Sequence, residues 1–187
     1  KILEYLRTLG ISDIYASPIF KARKGSTHGY DVVDPTTINP ELGGMDGFER
    51  LIAAGRAKNL GWIQDVVPNH MAYDSDNAML MDIFENGPLS LYSSYFDLKF
   101  DHQYDNLKNK ILAPFLGEFY GNCLEKNQIQ LVFNQSGFFI RYANWNFPLR
   151  LESYLTILMY DSEFIPNQIR EIGELLKNAI AAADPQE

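Results

Sequence analysis

The stretch Lys21-Ala22-Arg23-Lys24-Gly25-Ser26-Thr27-His28-Gly29-Tyr30-Asp31-Val32-Val33-Asp34-Pro35-Thr36-Thr37-Ile38-Asn39-Pro40-Glu41-Leu42-Gly43-Gly44 decides how the chain is read. Its centre, Ser26 to Asp31, sets an imidazole, a phenol ring and a carboxylate beside a glycine. It reads as a long loop between an apolar run and a helical run, the kind of segment that carries chemistry on a rigid scaffold. On its N-terminal side, Ile11 to Phe20 is short, apolar and aromatic, which predicts a buried strand ending near Ser17-Pro18, because proline cannot donate to a ladder. Earlier still, Ile2, Leu3, Leu6 and Leu9 recur at helical spacing with Gly10 as the stop. Helical spacing from the first residues reads as a chain that opens inside a fold.

On the other side, Asp46-Gly47-Phe48-Glu49 matches a capping box for a helix to about Lys58, with Phe48, Leu51 and Ile52 as its core stripe. Asn59-Leu60-Gly61 closes that helix, and Trp62 to Val67 predicts a second buried strand whose far end meets Pro68-Asn69-His70. Helix, strand, loop, helix, strand is the rhythm of a parallel sheet with crossover helices. Two architectures share it, a doubly wound open sheet and a (β/α)8 barrel, and no Gly-x-Gly-x-x-Gly supports the dinucleotide form of the first. Both place the site at the carboxyl ends of the strands. The His28 to Asp34 loop and Asn69-His70 leave strands at that end, so they are expected to share one face.

From Met71 the rhythm stops. Asn77 is positioned to cap a short helix, Ala78 to Glu85, ended by Asn86-Gly87-Pro88. Residues 89–105 are aromatic and irregular. Ile129 to Phe133 and Phe138 to Tyr142 flank Asn134-Gln135-Ser136-Gly137 and predict a hairpin. Pro166 opens a helix striped by Ile169, Ile172, Leu175, Leu176, Ala179 and Ile180. The expected boundary lies near Met71 to Asp76, giving residues 1–75 as one domain and 76–187 as a mixed α+β subdomain.

The 187 residues, 46% of them apolar, suffice for a core, and a net charge of −8 gives nucleic acid little counterion release to exploit. No apolar stretch approaches the roughly 20 residues that span a bilayer, so neither nucleic acid nor membrane is an expected partner. The single cysteine, Cys123, excludes an internal disulfide; it reads as a small buried hydrophobe and fits a reducing, cytoplasmic setting. His28 and His70 stand apart from any ligand-spaced cluster, and neither a metal nor another cofactor is expected.

Each candidate residue has a plain structural reading as well. Tyr30 beside Gly29 could stand as an aromatic platform for the CH-rich face of a sugar, or serve as a loop-packing ring. His28 and His70 could hydrogen-bond hydroxyls or act as caps. Asp31, Asp34 and Asp65 are the carboxylates of interest, but no acid and nucleophile pair spaced for glycoside chemistry can be assigned among them. Asp65 lies in an otherwise apolar strand and needs a cationic or hydrogen-bonding partner. The chain offers no obvious cation, so that partner is expected beyond residue 187.

Asp65-Val66-Val67-Pro68-Asn69-His70 resembles the first conserved region of the α-amylase clan, glycoside hydrolase family 13, and His28-Gly29-Tyr30-Asp31 resembles the loop after its second barrel strand. The run from Tyr15 to Gly44, then Val66 to Ala72, Phe84-Glu85-Asn86-Gly87-Pro88, and Phe147-Pro148-Leu149 with Ser153-Tyr154 are similar to the maltooligosyltrehalose synthase family within that clan. The resemblance implies a partial (β/α)8 TIM barrel, strands 2 and 3 with flanking helices, plus an inserted mixed α+β subdomain after strand 3. It implies an intramolecular transglucosylation on maltooligosaccharides, an isomerase reaction of trehalose biosynthesis, with functional pairing to a maltooligosyltrehalose trehalohydrolase. Tyr30, His70, His28 and Asp31 would bind or brace the sugar. Asp65, paired to an arginine on barrel strand 4, would orient them, and Asn69 would hold its loop. The nucleophile and acid/base are expected downstream, and no catalytic residue in this chain. A clan hydrolase, a 4-α-glucanotransferase and a non-catalytic glucan-binding module are the alternatives.

Overall fold

The computed structural model describes residues 2–160 and 165–183. The chain forms two compact units, one up to Ala78 and one from Met79 on. The acidic, proline-containing end Asp184-Pro185-Gln186-Glu187 lies outside the described residues.

The first unit opens with α1 (Ile2–Thr8), stopped by Gly10 at φ +85° with the Ile11 N–H returning to the Leu6 carbonyl. β1 (Asp13–Ala16) and β4 (Gly61–Gln64) pair in parallel, Asp13 opposite Gly61 and Ala16 opposite Gln64. The crossover between them contains α2 (Gly44–Arg56). The expected rhythm therefore holds, with an important difference of coverage. Both strands were expected to be buried, but they alternate: Ile14, Ala16, Trp62 and Gln64 are partly covered, whereas Tyr15 and Ile63 are exposed. On the covered side Phe48 of α2 meets Trp62 edge-on, ring centroids 5.7 Å apart, above an apolar cavity of about 370 Å³ that Ile14, Leu51 and Ile52 also line.

The segment read as one long loop is itself a hairpin. β2 (Phe20–Ala22) pairs antiparallel with β3 (Val32–Ile38), with shifts in register on either side of Lys21. Beyond the paired residues the Arg23 N–H donates to the Asp31 carbonyl at 2.9 Å, so residues 24–30 form the tip. Pattern reading missed this because Pro35 and two threonines interrupt β3. Val32 and Val33 are buried at the base of the hairpin. The helix entry also differs from the expected capping box. Asn39 Oδ1 accepts the Glu41 N–H at 3.0 Å, a 3₁₀ turn covers Pro40–Leu42, and Gly43 at φ +99° passes the chain straight into α2. Asp46 falls inside the first turn, where its charge favours the helix N-terminus.

In the second unit α3 (Ala78–Asn86) ends as expected at Gly87, φ +57°, followed by Pro88. The predicted hairpin is β5 (Ile129–Asn134) with β6 (Gly137–Tyr142), Asn134 opposite Gly137, so the link shortens to Gln135-Ser136. Pattern reading did not find α4 (Tyr120–Glu125), the edge strand β7 (Trp145–Pro148) or α5 (Leu151–Leu158). Proline at the end of β7 is tolerated because that strand pairs on one side only, with β6. Ile83, Cys123 and Phe147 are buried, and Phe147 meets Phe84 and Phe115 at 5.8 and 4.5 Å. The predicted last helix is α6 (Asn167–Ala183). Among the described residues no helix is long and apolar enough to cross a membrane.

Candidate functional site

The open face of the parallel pair carries the candidate site. In the pairing register Tyr15 stands opposite Ile63, so Tyr15, Ile63 and Asp65 project to the same side. The ladder runs one step past β4, with the Asp65 N–H donating to the Ala16 carbonyl at 3.0 Å. Gln64 clamps the strand end from the other face. Its Nε2 donates to the Ser17 and Asp65 carbonyls at 3.1 and 2.7 Å, and its Oε1 accepts from Trp62 Nε1. The Asp65 backbone is therefore fixed before its side chain makes any contact.

Tyr30 comes to that carboxylate from the hairpin tip, and its Oη donates to Asp65 Oδ2 at 2.5 Å. Tyr15 stands on the same face of the parallel pair as Asp65, one side-chain step back along it. The Tyr30 phenol has its pKa raised, first by its hydrogen bond to Asp65, then by desolvation and by the negative charge of Asp65, and the neighbouring Tyr15 phenol is raised in the same direction by that carboxylate. The Asp65 carboxylate thus has a hydrogen-bonding partner within this chain, Tyr30. A carboxylate that accepts the phenol's hydrogen bond anchors that ring at the end of β4.

The tip is built to present Tyr30. Gly29 sits at φ +76°, and a Cβ there would lie 2.3 Å from the Pro18 carbonyl oxygen, so only glycine lets the loop lie against that proline. Ser26 Oγ donates to Asp31 and accepts the Gly29 N–H at 3.1 Å. Glu41 receives the Gly25 N–H on its two oxygens at 3.2 and 3.1 Å, tying the tip to the turn that opens α2. His28 Nδ1 accepts the Tyr30 N–H at 3.0 Å. That bond requires a lone pair on Nδ1, which makes the 3.8 Å approach of Asp31 Oδ1 to the same nitrogen a neighbour contact and not an ion pair. His28 in this tautomer keeps Nε2–H as an outward donor, and its ring lies 6.0 Å from that of Tyr30.

Of the residues singled out from sequence, the structure joins Tyr30 to Asp65 and packs His28 and Asp31 within the same tip. Asp31 is engaged by Ser26, a brace for the loop. Asn69 and His70 lie in the exposed turn that follows Asp65. Asp34, the remaining carboxylate of interest, is taken up locally by Thr36 and Thr37. Sequence reasoning missed Tyr15. Strand alternation would have put it on one of two faces, but only the register with β4 puts it beside Asp65. Among the described residues no group of three or more histidine, cysteine and carboxylate side chains could hold a metal ion.

Residues 1–123 match the family described as Alpha amylase, catalytic domain. Over 118 residues the chain is 45% identical to a Mycobacterium tuberculosis protein named "Putative maltooligosyl trehalose synthase", covering 62% of this chain and 15% of that protein. It is 34% identical over 97 residues to a cyclomaltodextrinase of Geobacillus thermopakistaniensis, covering 52% of this chain and 16% of the relative. A crystal structure of a maltooligosyl trehalose synthase superposes with a TM-score of 0.71 at 42% identity, covering 78% of this chain and 19% of that one. The chain thus spans less than a fifth of the length of these relatives. Its site-bearing unit lies wholly inside the matched residues, and the chain belongs to the α-amylase catalytic-domain family.

Proposed function

We propose that this chain is part of a maltooligosyltrehalose synthase, an intramolecular transglucosylase that turns the reducing-end α-1,4 linkage of a maltooligosaccharide into an α,α-1,1 linkage. The observation that carries the reading is the convergence of Tyr30 on Asp65 at the end of β4, within a stretch that is 45% identical to its first relative. In this reading β1 and β4 are strands 2 and 3 of a (β/α)8 barrel. Residues 1–75 belong to that barrel and 76–187 to a subdomain inserted after strand 3. The open face bearing Tyr15, Ile63 and Asp65 is then the barrel's inner face, which is why apolar and phenolic side chains stand uncovered on it.

The Tyr30 ring stacks on one glucose unit, and His70 hydrogen-bonds the region of its 6-hydroxyl. Asp65 orients Tyr30 and, in the whole barrel, pairs with an arginine of strand 4. His28 and Asp31 line or brace the pocket, and Asn69 holds the loop that leaves the barrel. The nucleophile and the acid/base belong to the rest of the protein. Substrate and product have the same composition, so the site has to keep water from the glucosyl intermediate; a trehalohydrolase consumes the product in the same cytoplasm.

The test is an assay of the full-length protein on maltopentaose. Loss of reducing ends without release of glucose is the expected result. A gain in reducing ends assigns hydrolysis instead and overturns the reading.

A further inference from the structure

Residues 66–71 carry Asn69 and His70 between the end of β4 and Ala72, and they belong to no helix or strand. A connector without a ladder of its own is placed by what holds its two ends. One end is the Asp65 N–H on the Ala16 carbonyl, and the other is fastened to the hairpin β2–β3. There the Ala72 N–H donates to the Val32 carbonyl at 2.7 Å. Arg23 Nε donates to Asp74 Oδ2 at 2.7 Å, and Arg23 Nη2 donates to the Tyr73 carbonyl at 3.1 Å. Behind this contact Asp74 Oδ1 accepts the Asp76 N–H at 3.0 Å, and the fully buried Asn77 donates Nδ2 to the Ala72 carbonyl at 3.1 Å. The Asp74 side chain is only 8% exposed, so its charge is out of water and is met by a guanidinium that grips a backbone carbonyl at the same time.

Arg23 also closes the hairpin tip, its own N–H donating to the Asp31 carbonyl. Its backbone therefore belongs to the loop that presents Tyr30, while its side chain holds the segment that presents His70. The hairpin is already closed by its ladder and tied down by Glu41. What the guanidinium adds is a fixed course for the chain leaving His70. We propose that Arg23 is a positioning residue, which through Asp74 and the Tyr73 carbonyl sets His70 at a defined place relative to the Tyr30 ring, so that both reach one glucose unit. The proposal rests on the reading of Tyr30 and His70 as sugar contacts.

The test is a double-mutant cycle in the full-length protein, with Arg23→Lys, His70→Ala and the two together, read as kcat/KM on maltopentaose alongside the melting temperature. Lysine keeps a cation opposite Asp74, but its single ammonium lacks the rigid fork that meets a carboxylate and a carbonyl at once. Arg23→Lys should lower kcat/KM about tenfold, as expected for lost hydrogen bonds of a charged group, at an unchanged melting temperature. In the His70→Ala background it should cost nothing more. Asp74→Asn, which weakens the same bridge from its other side, should show the same dependence on His70. Parental activity in Arg23→Lys overturns the proposal, as does an equal loss in both backgrounds or a coupling to His70 that Asp74→Asn does not share. So does a loss that only follows an early melting transition, since that marks a structural role. Parental activity in His70→Ala removes the sugar contact and the proposal with it, whereas a loss there with none in Arg23→Lys sinks the proposal alone. If the unmodified protein proves to hydrolyse the substrate, the functional reading fails, yet the same cycle read on hydrolysis still decides the role of Arg23.

Discussion

Gly29 shows how narrowly one residue constrains the candidate site. Its backbone is left-handed, and the space a methyl group would need is occupied by the Pro18 carbonyl oxygen. Gly29→Ala should therefore destabilise the first unit by about 1–2 kcal/mol from the backbone alone, and displacement of Pro18 should add to that. The check is a denaturant titration together with kcat/KM of the full-length protein; an unchanged midpoint would mean the tip relaxes freely. Tyr30→Ala tests the other side of the same geometry. In the full-length protein it should cost several-fold or more in kcat/KM, because an aromatic contact is worth about 0.5–1.5 kcal/mol and the anchor on Asp65 goes with it. Unchanged kinetics would remove Tyr30 from the site. The candidate residues His28, Tyr30, Asp31 and Asp65 were legible in sequence because their types are unusual for where they stand: a charge in an apolar strand, rings beside a glycine. Tyr15 was not, since tyrosine is common in strands and nothing in a linear pattern says which face it takes.

At the scale of the element, the hairpin β2–β3 depends on Asp34. Its carboxylate accepts Thr36 Oγ1 at 2.6 Å, Thr37 Oγ1 at 2.7 Å and the Thr36 N–H at 2.9 Å. The Thr36 hydroxyl, followed by Thr37 and the Thr36 amide, holds the Asp34 pKa below its ordinary value of 3.8 against the opposing effect of partial burial. A depressed folded-state pKa means the stabilisation is complete above the unfolded value and is lost as pH falls through the folded one. Amide exchange at Thr36 should accordingly stay protected at neutral pH and accelerate, beyond the intrinsic pH dependence, once the pH drops below about 4. Asp34→Asn should blunt that acid transition; an identical pH profile in the variant would show that the hairpin does not use the carboxylate. The strands β1, β4, β5 and β6 and the helices α1, α2, α3 and α6 were readable because each carries a period or a stop signal of its own. β2, β3 and β7 were not. Pro35 and its threonines break the alternation of β3, and β2 and β7 are only three and four residues long; all three exist because a neighbouring strand supplies the hydrogen bonds.

For the whole molecule, the parallel pair covered by α2 on one side and open on the other is the feature with consequences. Tyr15 and Ile63 stand exposed there, a surface that the remaining strands of a barrel would enclose. On the proposed reading the residues of this chain grip a sugar but break no bond. The 187-residue polypeptide by itself should then leave maltopentaose unchanged while the full-length protein isomerises it, and detectable conversion by the shorter chain would defeat that division of labour.

Composition, element order and the run from Ser26 to Asp31 determined, without coordinates, that strands and helices alternate up to His70, that a hairpin and a terminal helix follow, and that the loop resembles one of the α-amylase clan. These are local signals: periodicity, stop residues and motif spelling are written in adjacent positions. Only the tertiary structure decided that the loop is a hairpin held by Glu41, that Gly29 lies against Pro18, and that Asp65 holds Tyr30. Those contacts join segments whose separation in sequence carries no information about distance, and strand register, which sets them, is a property of the pairing and of neither strand alone.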